Sequence, residues 1–145
     1  MVISHIQPLL LLACLFFLPA LHAVDFKYCN GVGYHTFSIT KMEFSPDAST
    51  ITMFAFAYGP LSNLNVAVAR KLGGTILPRI FYNFCKLVSC PILPGSIFVF
   101  TLPEIPEKQL AHEELMVIWS YPSEEPRTEI AMCVYFDYPT SVVSA

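Results

Sequence analysis

The cysteines constrain this chain most. Four of its five lie beyond an apolar leader: Cys29 near the start, Cys85 and Cys90 in the middle, and Cys133 near the end. An even set in an oxidising compartment reads as two disulfides. Four cysteines allow three pairings, and spacing alone does not choose among them. Loop geometry favours a local staple, Cys85–Cys90, because so short a loop closes readily. That leaves Cys29–Cys133 as a clamp joining the two ends of the domain. In a chain-entropy model the short loop contributes about 2 kcal/mol and the long one nearly 5. A four-cysteine zinc site fits less well, since C-x4-C is loose and the outer two cysteines are not paired in sequence.

The leader itself reads as a secretory signal. Leu9 to Leu18 is an unbroken apolar run, too short to cross a bilayer. Leu21-His22-Ala23 ends it on a small residue. The segment before the run carries no Lys or Arg, so a signal anchor is the rival reading. Residues 1–23 are expected to leave, taking Cys14 with them, and residues 24–145 to form one domain in a secreted protein.

Composition narrows the partners. Charged residues make up 13% of the chain, against a usual ~25%. No later segment reaches the ~18 apolar residues of a membrane helix, so the apolar excess belongs inside a globule or a cavity. The net charge is −3, and Arg70-Lys71 is the only adjacent basic pair, which makes nucleic acid a poor partner. No N-x-S/T sequon is present, which favours plain secretion over glycan-dependent lysosomal delivery.

Along the chain, the periodicity is that of strands. Tyr34–Phe44 alternates Phe37 and Ile39, then Met42 and Phe44 on the shifted phase, which predicts a bulge. Ser45-Pro46-Asp47 is a turn. Thr50–Tyr58 is apolar on both faces, so either Met53 or Phe54 points inward. Leu64–Lys71 alternates, and Gly73-Gly74 leads by a hairpin into Thr75–Phe84. Pro78 makes that run an edge strand. Ile97–Leu102 follows the Cys85–Cys90 loop. Pro103 and Pro106 bar regular structure to about Glu107. Lys108–Glu114 has helix formers, but Leu115, Val117, Trp119 and Tyr121 alternate, favouring a strand from Glu113. Thr128–Tyr138 is the last strand, with Ile130, Met132, Val134 and Phe136 on one face. About seven short strands and no convincing helix predict an all-β, two-sheet sandwich.

Several motifs then line up. Lys27-Tyr28-Cys29 follows the leader, and Ser45-Pro46 follows the first strand. C-x4-C-P-I at Cys85–Ile92, Pro94-Gly95, L-x-V-x-W at Leu115–Trp119 and C-x-x-F at Cys133–Phe136 come after. As an ordered set they resemble the ML (MD-2-related lipid-recognition) domain. That is the family of the Niemann-Pick type C sterol carrier and of the phosphatidylglycerol/phosphatidylinositol transfer proteins. The resemblance covers the whole mature chain. It implies an immunoglobulin-like sandwich whose sheets stand apart around an apolar cavity, and two disulfides matching those above. A third bridge of the sterol carriers has no cysteines here.

The resemblance further implies a monomeric, non-catalytic lipid carrier that meets membranes, or a lipid-accepting membrane protein, transiently. Its ligand would be a sterol, phospholipid or fatty acid. The lining it implies is Val66, Val68, Leu77, Ile80, Phe98, Phe100, Leu110, Leu115, Val117, Trp119, Val134 and Phe136, with an entrance near Ile76–Ile80 and Ile105–Leu110. The residues themselves offer little else. His112-Glu113-Glu114 lacks the second histidine of a zinc protease, no G-x-S-x-G is present, and nothing resembles a cofactor-binding or metal-binding motif. Ser120, Ser123, Glu124 and Glu125 sit at a Pro-bounded turn. The rival is a filled sandwich that binds a protein through Phe54, Phe56, Tyr82 and Tyr135, or that presents lipid to an immune receptor.

Overall fold

A computed structural model describes residues 22–122 and 129–139. Residues 1–21 of the leader, the turn carrying Ser123, Glu124 and Glu125, and Thr128 lie outside these residues. Nine strands and one helical turn make up the described chain. They are β1 (His22–Ala23), β2 (Phe26–Tyr28), β3 (Phe37–Phe44), β4 (Ile51–Ala57), β5 (Asn65–Leu72), β6 (Thr75–Asn83), α1 (Phe84–Leu87), β7 (Ile97–Leu102), β8 (Glu114–Ser120) and β9 (Ile130–Asp137). One sheet runs β1-β3-β4-β7 and the other β2-β9-β8-β5-β6, every pairing antiparallel.

The seven main strands are those read from the sequence. The extra two are the short β1 and β2, which add to sheet edges through Ala23↔Glu43 and Lys27↔Tyr135. The helical turn α1 was not expected. Its cap is Asn83, whose side chain accepts the Cys85 backbone N–H, satisfying a donor that a helix start leaves open.

Two irregularities set which side chains face inward. The phase change in β3 is a register shift between Ile39 and Lys41, so Phe37, Ile39, Met42 and Phe44 are all buried. The question left open in β4 is settled: Ile51, Met53, Ala55 and Ala57 are buried, while Phe54 and Phe56 lie half-buried on the outer face. A second shift, between Trp119 and Ser120, breaks the alternation of β9. It moves Ala131 into the core and leaves Ile130 49% exposed, correcting the expected inward face at that residue. β6 lies at a sheet edge, the position in which a sheet tolerates a proline such as Pro78.

Both disulfides form, Cys29–Cys133 and Cys85–Cys90. The first ties β2 to β9 at the end of their ladder, where the Cys29 N–H also donates to the Cys133 carbonyl at 3.0 Å.

One polar cluster fixes the long β7–β8 connection. Glu113 is buried, and its Oε1 takes the Arg70 guanidinium of β5 at 2.6 Å. Its Oε2 accepts the Gln109 backbone N–H at 3.1 Å. Tyr138 donates to the Pro106 carbonyl at 2.8 Å. Burial first, then the charge of Glu113, pushes the Tyr138 phenol up to about 12. On the surface, Asp47 is held at about 2 by the Ser45 and Ser49 hydroxyls that bond it in the β3–β4 turn.

Two outcomes test this cluster. Glu113→Ala strands a largely buried guanidinium, so unfolding free energy should fall by roughly 3–5 kcal/mol in urea titrations. Tyr138 in the folded chain holds its proton where an unfolded tyrosine, near 10, has lost it. Unfolded chains therefore bind fewer protons between pH ~10 and ~12, and stability falls as pH rises through that window. Tyr138→Phe should flatten that fall in a pH series of melting temperatures.

Candidate functional site: the interior between the sheets

The inner faces meet over an aromatic cluster. Phe37 from β3, Phe84 from α1, Phe98 and Phe100 from β7 and Trp119 from β8 surround one another. Trp119 lies 5.2 Å from Phe37, 5.9 Å from Phe100 and 6.5 Å from Phe84 between ring centroids. All three contacts are near-perpendicular, the arrangement that aromatic quadrupoles favour.

Most of the lining read from the sequence faces this interior. Val66 and Val68 sit opposite Trp119 and Val117, and Val117 and Leu115 sit opposite Val134 and Phe136. All seven are buried in one cluster with Phe100, and Phe98 packs partly buried against it. Leu77 and Ile80 are partly buried on the edge strand β6 and stand outside the buried core. Leu110 is 51% exposed in the β7–β8 connection, away from the core cluster.

Reading by strand alternation left out important members. Phe37, Ile39, Met42, Phe44, Ile51 and Met53 supply the facing wall from β3 and β4, and the bulge and the two-faced β4 hid their direction. Phe84 was missed because it sits on α1 rather than on a strand. The Cys85–Cys90 staple, with the Asn83 cap, is the signal that could have found it.

The two long sides of the sandwich are fastened differently. On the side of β2 and β9, Tyr28 Oη accepts the Ile39 N–H of the opposite sheet at 3.2 Å, and Thr36 Oγ1 donates to the Ala131 carbonyl at 2.6 Å. On the side of β6 and β7, the hydrogen bond among the described residues runs from Tyr82 Oη to the Glu104 carbonyl, at 3.1 Å. Apolar contacts of Phe84, Phe98 and Phe100 do the rest there. At one end of the sandwich a groove of about 660 Å³ lies among Asp47, Ser49, Pro103, Ile105, Lys108 and Tyr138. It includes part of the expected entrance segment.

Chemistry-bearing groups are sparse in this interior. Glu113 is engaged by Arg70, and His35 and His112 are exposed. No metal-holding cluster of His, Cys, Asp or Glu occurs among the described residues. No described helix is long and apolar enough to cross a membrane.

Comparison with known proteins decides the family. The chain is 33% identical over 147 aligned positions to the MD-2-related lipid-recognition protein ROSY1 of Arabidopsis thaliana, covering 94% of this chain and 90% of that protein. The chain belongs to the MD-2-related lipid-recognition family. A second Arabidopsis thaliana member, MD-2-related lipid-recognition protein 3, is 34% identical, with 96% of this chain and 94% of that protein covered. No family model matches. Among solved structures, a Niemann-Pick type C2 protein from the Japanese carpenter ant aligns with TM-score 0.47 at 17% identity, covering 77% of this chain and 96% of that one. Chicken MD-1, solved with lipid IVa, aligns with TM-score 0.46 at 17% identity, covering 81% and 94%.

The aromatics of the rival reading lie at intermediate positions. Phe54, Phe56, Tyr82 and Tyr135 are each only part-exposed. Tyr82 packs against the core, and the Tyr135 ring carries the Lys71 ammonium at 4.6 Å.

Substitutions in the two kinds of position should separate. Phe84→Ala removes a fully buried ring and should cost roughly 3–5 kcal/mol in chemical denaturation, whereas Leu110→Ala should stay within about 0.5.

Proposed function

We propose that this chain is a secreted, non-catalytic lipid carrier that holds an acyl chain or sterol between its two sheets and releases it at a membrane. The observation that carries this reading is the interior of a lipid-recognition family member: two facing walls of aliphatic and aromatic side chains. Removing apolar surface from water gains about 25 cal/mol per Å², so a lipid burying a few hundred Å² gains several kcal/mol before the costs of association.

The uneven fastening supplies a way in. With the Tyr28 and Thr36 hydrogen bonds on the β2–β9 side against the exposed Tyr82–Glu104 one on the other, the sheets part most easily between β6 and β7. There Phe98 and Phe100 swing from contact with one another to contact with the ligand. Val66, Val68, Leu115, Val117, Trp119, Val134 and Phe136 line the slot so formed. Leu77, Ile80 and Leu110 stand at its rim, where an exposed apolar side chain meets a membrane or the incoming lipid. Secretion is supported by the apolar leader and by two disulfides, which persist in oxidising compartments.

Native mass spectrometry of the protein secreted from a eukaryotic cell, with extraction and identification of small molecules, tests the reading. The expected result is one lipid per chain on a mass 4 Da below the reduced form, since each disulfide removes two hydrogens. Failure to recover lipid, or to take it up from phosphatidylcholine–cholesterol vesicles, would overturn the reading. Uptake should also change the fluorescence of Trp119, the single tryptophan.

A further inference from the structure

Trp119 has a polar atom that the packing does not account for. The residue is fully buried, and its Nε1–H has no hydrogen-bond partner among the described residues. A buried indole N–H normally finds an acceptor, and leaving a buried donor unpaired costs about 1–3 kcal/mol. The side chains around it supply none. Phe37, Phe84 and Phe100 present rings, which accept only weakly. Val66 and Met132 are its neighbours across the β5 and β9 ladders.

Resting on the carrier reading above, we propose that Trp119 is a specificity-determining residue whose Nε1–H donates to an oxygen at the buried end of the bound lipid. Its place in the sheet sets the depth. Trp119 is five residues along β8 from Glu114, next to the β7–β8 connection. At roughly 3.3 Å per strand residue that is roughly 17 Å of slot. The ligand class that fits is an amphiphile of about this length with a hydroxyl or carbonyl oxygen remote from its head group. An acyl chain oxygenated at its far end and a sterol hydroxylated on its side chain share that chemistry. A terminal methyl in the same place leaves the indole unpaired. Conversely, a buried hydroxyl without Trp119 has no donor. A site built to hydrogen-bond a ligand group discriminates against the analogue that lacks it far more sharply than a purely apolar pocket can.

The test uses the full mature chain with ¹⁵N-labelled tryptophan, which gives a single indole resonance. It is titrated with two matched pairs, hexadecanoate against 16-hydroxyhexadecanoate and cholesterol against 25-hydroxycholesterol. The oxygenated member of at least one pair should move the indole proton downfield and bind about tenfold more tightly than its parent. Trp119→Phe, which keeps an aromatic ring in the core, should abolish or reverse that preference. The pair that responds distinguishes the acyl from the sterol source. Equal affinities within each pair and an indole resonance that does not move downfield would overturn the proposal while leaving the carrier reading intact. Should Trp119→Phe fail to fold, the wild-type resonance and the paired affinities decide alone. If none of the four probes binds, the carrier reading falls and this inference with it.

Discussion

The fold depends on the contact of five rings between two sheets. Phe37, Phe84, Phe98, Phe100 and Trp119 come from both sheets and from the helical turn α1. Each ring buries a large apolar area, and together they fill the space between two sheets whose strand ladders run only within each sheet. The rest of the architecture serves to present them. The β3 register shift keeps Phe37 and Phe44 on the same inner face, the Cys85–Cys90 loop follows directly on Phe84, and β7 contributes two rings from a sheet edge.

Polar chemistry is pushed to the ends and sides of this assembly. The Arg70–Glu113 pair closes the end where β7 passes to β8; with the Gln109 N–H it satisfies both carboxylate oxygens of a residue that would otherwise be costly to bury. The Tyr28 and Thr36 hydrogen bonds fasten one long side. The interior is left almost purely apolar.

Much of this was legible in the sequence because the signals are local. Alternation located the main strands, Pro78 marked an edge, and Gly73-Gly74 marked a hairpin. The cysteine loop lengths favoured the pairing that forms. Where reading failed, a non-local cause was at work. Ile130 and Ala131 exchange faces because β9 shifts register against Trp119 of β8, a constraint carried by the partner strand. Met53 and Phe54 could not be told apart while both faces of β4 were apolar; the pairing with β3 and β7 decides it. Phe84 escaped notice because a helical turn of four residues leaves no periodicity. Leu110 was placed by analogy with a motif, and its exposure reflects a connection fixed by Glu113 rather than by apolar contact.

The place of Pro78 has a consequence for the protein as a solute. β6 is the outermost strand of the five-stranded sheet, and it carries Phe81 with 69% of its surface in water. An open strand edge beside an apolar side chain is a template on which a second chain can add. Proline carries no backbone N–H, so the strand offers one donor fewer for pairing. A molecule whose interior is this apolar thus keeps its outermost strand a poorer template for addition along that edge.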